Sequence, residues 1–179
     1  MFIASIVVIA VIVAIFVLMV SKQPDEFHVV RSATISAPPA VVFAQVNDLY
    51  KWGAWSPWAK IDPAAKTVFE GPPAGAGSAM SWAGNSKLGE GRMTITASNP
   101  YTLIRFKLEF MKPFKATNTA EFVFKPEGNQ TAVTWSMSGR NNLMSKAVGL
   151  LMNCDRMVGG QFEKGLADLK TVSEIAVRT

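Results

Sequence analysis

The sequence is poor in the residues that carry most enzymatic and metal chemistry. Its 179 residues include one cysteine, Cys154, and one histidine, His28. A single cysteine excludes an intramolecular disulfide, a catalytic triad or Cys-His pair would have to be built on His28 alone, and a zinc or iron site would need carboxylates alone. We interpret His28 as a surface residue and Cys154 as a small core residue on a helix. We predict no metal and no cofactor, and the sequence identifies no catalytic residue.

Motifs for nucleotides and nucleic acids are also missing. The glycine-rich run at residues 71–77 is not followed by Lys-Ser/Thr, and it opens a predicted strand rather than a helix. The net charge of +5 comes from 18 basic and 13 acidic residues, and the basic residues are scattered singly. We therefore predict a turn at residues 71–77 and no nucleic-acid partner.

Charged side chains are absent from residues 1–20, where Ser5 is the only polar residue. A helix of this length is about 30 Å long, which matches the hydrocarbon core of a bilayer. A cleaved secretory signal is the alternative, but its basic start, shorter apolar stretch and small-residue cleavage site are absent. The sequence predicts a transmembrane anchor at residues 1–20 and a linker at residues 21–26. Because Lys22 and Arg31 both follow the anchor, the positive-inside rule places the following domain in the cytoplasm.

The remaining residues, 27–179, predict one α+β domain. Residues 27–36 are rich in β-branched side chains and end before two prolines, which predicts a strand. Apolar residues at helical spacing between positions 38 and 47, and three tryptophans between positions 52 and 58, predict two short helices. Alternation then predicts six antiparallel strands, at about residues 66–70, 77–83, 90–98, 101–110, 116–126 and 130–139.

Helical periodicity returns after Gly139 and lasts to the C-terminus, which predicts one long amphipathic helix. Glycines interrupt this helix, and each costs about 1 kcal/mol of helix stability relative to alanine. A close contact between helix and sheet, or a kink over a cavity, would explain why they are tolerated. These glycines are Gly149, Gly159, Gly160 and Gly165.

The order of one strand, two short helices, six antiparallel strands and a long C-terminal helix is that of the helix-grip fold. Residues 27–173 closely resemble bacterial members of the polyketide cyclase/dehydrase-like branch of the START/Bet v 1-like (SRPBCC) superfamily, many of which carry a similar N-terminal transmembrane segment. Several motifs match in the same order along the chain, which is far more specific than one motif. They are Trp55-Ser56-Pro57-Trp58, Glu70-Gly71-Pro72, Gly75-Ala76-Gly77, Trp82-Ala83-Gly84-Asn85, Gly89-Glu90-Gly91, Thr131 to Trp135 and Gly160 to Lys170.

The resemblance implies a curved antiparallel sheet wrapped around the C-terminal helix, with an apolar cavity between them. In the superfamily this cavity holds lipids, sterols, polyketides or other hydrophobic molecules. We therefore expect a hydrophobic small molecule or lipid as a partner, bound by shape and burial, with the membrane as a second partner and the bacterial inner membrane as the location. The expected cavity residues are Met80, Trp82, Met93, Ile95, Phe106, Leu108, Phe122, Trp135 and Met137 on the sheet, and Leu150, Cys154 and Val158 on the helix.

Fold alone leaves the activity open, and two alternatives remain. A cyclase/dehydrase-like enzyme acting on a hydrophobic substrate would need polar groups that converge inside the cavity with perturbed pKa values. A protein-binding module similar to the chaperone-activator relatives would instead expose an apolar groove. The polar candidates are Glu90, Arg105, Glu121 and Asp155. We favour ion pairs outside the cavity for these residues, because unpaired buried charges are rare.

Overall fold

The structure is a computed structural model that describes residues 2–151 and 154–178, without the side chains of residues 2–4, 148, 151 and 154. Its helices are α1 (Phe2–Ser21), α2 (Pro39–Asn47), α3 (Trp52–Trp55), α4 (Leu143–Leu151) and α5 (Cys154–Ala176). Its strands are β1 (Glu26–Ile35), β2 (Lys66–Glu70), β3 (Ala79–Ala83), β4 (Glu90–Asn99), β5 (Leu103–Lys112), β6 (Ala116–Glu127) and β7 (Gln130–Arg140). Single 3-10 turns lie at Leu49–Lys51 and Pro57–Lys60.

The seven strands form one antiparallel sheet in the order β1-β7-β6-β5-β4-β3-β2. The predicted strands and the two short helices are confirmed, and every strand boundary lies within two residues of its predicted position. The β6–β7 hairpin turns at Gly128, whose φ of 61° is a left-handed conformation that glycine adopts without strain. Register shifts at Glu90/Gly91 and Ile95/Ala97 are bulges, which bend a sheet and increase its twist.

One face of the sheet is concave and carries the hydrophobic core. On β5 the buried residues Ile104 and Phe106 alternate with the exposed Arg105 and Lys107, so one face meets protein and the other meets solvent. α2, α3 and α5 cover the concave face, with α5 packed mainly against β1, α2 and α3. This arrangement agrees with the α+β helix-grip fold predicted from the sequence.

The C-terminal segment is helical over two described stretches, α4 and α5, with residues 152 and 153 between them outside the description. The two stretches pack in different places, because α4 contacts α1 whereas α5 contacts the sheet and the short helices. The segment between α1 and β1 is attached to the start of α4. The backbone N–H of Asn141 donates to the Asp25 carbonyl at 2.7 Å, and the Lys146 ammonium pairs with the Asp25 carboxylate.

The predicted membrane anchor corresponds to α1. This helix has 20 residues, from Phe2 to Ser21. Over the described residues, no helix is both long enough and apolar enough to cross a membrane. This finding contradicts the predicted single-pass location in a bacterial inner membrane with a cytoplasmic domain, and it leaves the predicted membrane partner without support.

Candidate functional site

A cluster of aromatic rings occupies the middle of the concave face, between the sheet and α5. Trp135 is at its centre, stacked on Phe162 of α5 at 4.1 Å between ring centroids with an interplanar angle of 8°. On its other side Trp135 stacks on Phe122 at 4.6 Å. The edges of Trp55 and Trp58 meet Trp135 at 5.8 and 5.5 Å. The tryptophans of the short helices therefore act as core packing, and side chains fill this part of the interior.

The predicted cavity residues divide into two groups by burial. One group belongs to the packed core and comprises Met93, Ile95, Phe106, Phe122, Trp135 and Met137. The other group is only partly buried and comprises Met80, Trp82, Leu108, Leu150 and Val158. The side chain of Cys154, also predicted to line the cavity, lies outside the described part of the structure. The cavity itself stays a prediction, and the partly buried group shows where an apolar surface is left incompletely covered.

Burial decreases along the concave face toward one end of the sheet. On β5, Ile104 and Phe106 are 0% and 1% exposed, whereas Leu108 and Phe110, further along the same face, are only partly buried. Strand pairing continues this row across the sheet, because Leu108 pairs with the buried Met93, and Met93 pairs with the partly buried Met80. We call this surface the open end of the sheet. Its apolar residues are Phe27, Met80, Trp82, Leu108 and Phe110.

A glycine, which has no side chain, shapes the open end. Gly91 lies between Trp82 on β3 and Phe110 on β5, with which it pairs. A Cβ on Gly91 would lie 2.4 Å from Trp82 Cζ2, so only glycine lets the indole lie across β4. The indole meets Phe110 edge to face at 6.0 Å between ring centroids. Trp82, Gly91 and Phe110 thus form a continuous apolar surface at the end of the sheet.

The four polar candidates do not converge at this surface. Glu90, Arg105 and Glu121 alternate with inward-facing residues on their strands and lie on the outer face. Glu90 accepts a hydrogen bond from the Lys112 ammonium at 2.7 Å, and Glu121 pairs with the Arg105 guanidinium. Asp155 belongs to α5 and pairs with Arg31. The pairs of Glu90, Arg105 and Glu121 thus lie on the outer face, whereas Asp155 pairs with a residue on the inner side of the edge strand β1. His28 is exposed.

Arg31 joins the first turns of α5 to the inner side of β1. Its Nη1 and Nη2 donate to Asp155 Oδ1 and Oδ2 at 3.1 and 3.0 Å, and its Nε donates to Glu163 Oε1 at 2.7 Å. The guanidinium lies directly against Gly159, where an added Cβ would be 2.1 Å from Nη2. Hydrogen bonds from Arg31 hold the pKa of Asp155 below its usual range, and hydrogen bonds to Asp155 and then Glu163 raise the pKa of Arg31.

We expect this ion pair to stabilise the protein above about pH 4 and to lose its effect in acid. The pKa of Asp155 is lower in the folded chain than its unfolded value of about 3.9, so the contribution is lost as the pH falls through the folded pKa. Asp155→Asn should therefore be less stable than the wild type at pH 7, and the difference should disappear near pH 2. Urea unfolding at several pH values measures this.

The control for this prediction is the same substitution in an Arg31→Met background. Without the guanidinium, Asp155→Asn should change stability little at any pH. If wild type and Asp155→Asn still differ in free energy of unfolding at pH 2, the ion pair is not the cause of the difference.

Two surface depressions lie outside the concave face. One, of about 240 Å³, is on the outer face and borders Thr117, Thr119 and Arg140. The other, of about 430 Å³, lies between the Pro57–Lys60 turn and α5, beside the ion pair of Lys60 and Asp168. Neither is lined by a predicted cavity residue. We therefore assign the candidate site to the open end.

Two polar residues on the concave face were not among the predicted site residues. Arg31 lies between Val29 and Ala33 on the inward face of β1, and Asn118 lies on the same inward face of β6 as the buried Ala120. Both could have been found from the sequence, because a polar residue at an inward position of an alternating strand breaks the pattern. The partners of these residues could not be found in this way, since they depend on how strands and helices meet.

Solved structures with the same fold are similar to this chain at low sequence identity. The protein CV1439 from Chromobacterium violaceum is 14% identical, with a TM-score of 0.59 over 85% of this chain and 99% of that one. Ara h 8.0201 is 12% identical, with a TM-score of 0.55 over 83% and 97%. BexL, a di-domain ARO/CYC from the BE-7585A biosynthetic pathway, is 14% identical, with a TM-score of 0.60 over 88% and 53%. These likenesses confirm the fold predicted from the resemblance.

The family of the chain follows from its sequence. No curated protein matches the chain. A family model described as polyketide cyclase/dehydrase and lipid transport matches residues 26–174, which include all seven strands and nearly all of α5. The match covers most of the chain and the whole candidate site, so this protein belongs to the polyketide cyclase/dehydrase and lipid transport family.

Proposed function

We propose that this chain binds a hydrophobic small molecule or lipid at the open end of its sheet, with residues 27–179 forming the binding domain. The single observation that carries the proposal is the incomplete burial of the concave face. Phe106 is 1% exposed within the core, whereas Leu108, two residues further along the same face, is only partly buried. A ligand placed there would extend the core.

Apolar contact area would supply the affinity. Burial of apolar surface contributes about 25 cal/mol per Å², so a ligand that covers several partly exposed side chains gains several kcal/mol before the cost of ordering it. Trp82 and Phe110 offer large apolar surfaces at the end of the sheet, and their edge-to-face contact holds both rings in place. Affinity should therefore increase with the length of an apolar ligand.

An enzymatic function has less support in the geometry. Glu90, Arg105 and Glu121 lie on the outer face, where Glu90 pairs with Lys112 and Arg105 pairs with Glu121. Asp155 is held by Arg31, and its pKa is lowered, which is the opposite of what a general acid near neutral pH requires. We therefore propose binding, rather than acid–base catalysis by these residues, as the role of the site.

The direct test uses the purified full chain and a total lipid extract. After incubation and repurification, native mass spectrometry should show one apolar molecule bound per chain, and extraction should identify it. Recovery of the chain with no added mass from every extract would contradict the proposal.

A second test blocks the proposed site. Leu108→Trp should weaken binding of the fluorescent hydrocarbon diphenylhexatriene by about tenfold or more, because the larger side chain occupies the open end and removes over 1.4 kcal/mol of binding free energy. Fluorescence titration measures the dissociation constant. The matched control is Val123→Trp, a similar enlargement at a partly buried position on the outer face of β6, which should leave the dissociation constant unchanged. Equal effects of both substitutions would show that the probe binds elsewhere.

A further inference from the structure

We infer that Asn118 is a polar anchor for the ligand of the open end, and that this ligand is an apolar molecule carrying an uncharged oxygen group such as a ketone, an ester or a hydroxyl. The inference rests on the proposed function and specifies its ligand class. The observation behind it is one polar side chain, buried within an apolar row of the concave face, whose amide has no partner among the described residues.

The strand register places Asn118 in the middle of this row. Across the sheet, Asn118 pairs with Leu108 of β5 on one side and with Gly139 of β7 on the other. The row continues beyond Leu108 through Met93 to Met80 and ends beyond Gly139 at Phe27. Phe27, Leu108 and Met80 belong to the open end, so Asn118 lies within the proposed binding surface.

The glycine beside Asn118 makes room for its amide. A Cβ on Gly139 would lie 2.1 Å from Asn118 Oδ1 and 2.9 Å from Phe27 Cε1. The amide oxygen therefore occupies the position that a side chain of β7 would take on the concave face, next to the ring of Phe27. A larger residue at position 139 would displace the amide from this place.

The Asn118 side chain is almost completely buried, yet it forms no internal hydrogen bond. The residue is 8% exposed, and its amide has no hydrogen-bond partner among the residues that the structure describes. Such a group ordinarily costs about 1–3 kcal/mol when it is buried without a partner. Within the described residues, only Ser173 Oγ is both unpartnered and fully sealed from solvent, so the Asn118 amide keeps some contact with solvent.

The chemistry of the row sets the class of ligand. An amide both donates and accepts hydrogen bonds, so it can bind a carbonyl oxygen through its N–H groups or a hydroxyl through either function. The other members of the row are apolar or glycine, and none carries a charge. A carboxylate or ammonium group placed there would lose its hydration without an opposite charge to compensate. The site therefore fits a neutral oxygen group attached to an apolar body.

The experiment compares two neutral fluorescent probes on the full chain. Prodan is a naphthyl ketone whose emission shifts to the red when its carbonyl accepts a hydrogen bond, and diphenylhexatriene is a hydrocarbon without polar groups. We expect Asn118→Leu to weaken Prodan binding by about fivefold to tenfold, the effect of one lost hydrogen bond. The emission of bound Prodan should shift to the blue, and diphenylhexatriene should bind as tightly as before or more tightly.

The variant's own stability provides an independent measurement. Replacing an unpartnered buried amide by an apolar side chain of similar size should raise the melting temperature. A lower melting temperature would mean that the amide is bonded within the protein, which overturns the inference. If Asn118→Leu does not fold, the same two probes are compared on Asn118→Ala.

The outcomes separate this inference from the proposed function. If neither probe binds the wild type, the proposed function is wrong, and the anchor is wrong with it. If both probes bind the wild type and Asn118→Leu affects them equally, Asn118 only shapes the site. In that case the neutral-oxygen anchor is overturned while the binding function stands.

Discussion

Trp135→Ala should lower the free energy of unfolding by about 3–5 kcal/mol, the usual cost of truncating a fully packed tryptophan. Trp135 is 2% exposed and lies between Phe162 at 4.1 Å and Phe122 at 4.6 Å, so its removal leaves a cavity bounded by rigid rings. Small domains are stable by only about 5–15 kcal/mol, so the loss is a large part of the total. Urea denaturation followed by far-UV circular dichroism measures it.

Two controls make this prediction specific. Phe114→Ala removes an aromatic ring that is 55% exposed, and it should change the free energy of unfolding by no more than about 0.5 kcal/mol. A double-mutant cycle of Trp135→Ala and Phe162→Ala should give a coupling energy of about 0.5–1.5 kcal/mol for the stacked pair. A cost for Trp135→Ala below about 1 kcal/mol would show that the tryptophan lines open space instead of filling it.

Two glycines of α5 should respond in opposite directions to the same substitution. Gly160→Ala should raise the free energy of unfolding by about 1 kcal/mol, because alanine favours the helix and no atom outside the helix lies within 4 Å of the added Cβ. At Gly165 the added Cβ would lie 2.7 Å from Trp135 Cζ3 and 3.0 Å from Pro57 Cδ. Overpacking of this kind costs about 1–3 kcal/mol, which exceeds the helix gain.

Gly165→Ala should therefore be less stable than the wild type, and Gly160→Ala more stable, in the same urea titration. Each glycine is the control for the other, because both lie within α5 and the chemical change is identical. If both variants are stabilised, α5 lies further from Trp135 than the structure places it. The core would then have space at the position where we describe a stacked pair.

Much of the fold could be predicted from the sequence because alternation and helical spacing are local properties. Ile104, Phe106 and Leu108 alternate with charged residues, and this fixes which side of β5 faces the core. The hypothesis that close helix–sheet contact explains the helix glycines holds for Gly159 beside Arg31 and for Gly165 beside Trp135. It does not hold for Gly160, which has free space around it.

The site was less predictable from the sequence, because residues that line a cavity and residues that fill a core show the same alternation of apolar and polar side chains along a strand. Leu108 and Phe106 are both apolar and inward-facing on one strand, yet only Leu108 is left partly exposed. Their difference in burial is set by packing between elements far apart in the chain, which the alternation within one strand does not show. The ion pair of Arg31 with Asp155 and Glu163, residues separated by more than a hundred positions, depends on the same docking.

By itself, the sequence determined the strands, the short helices, the inward face of the sheet and the family resemblance, since each of these depends on neighbouring residues and their spacing. Only the tertiary structure decided that Trp135 and Phe122 are packing, that the polar candidates form ion pairs instead of converging at the open end, and that Asn118 has no partner within its apolar row. Burial and pairing are relations between distant segments, and these relations are set when α5 docks on the sheet.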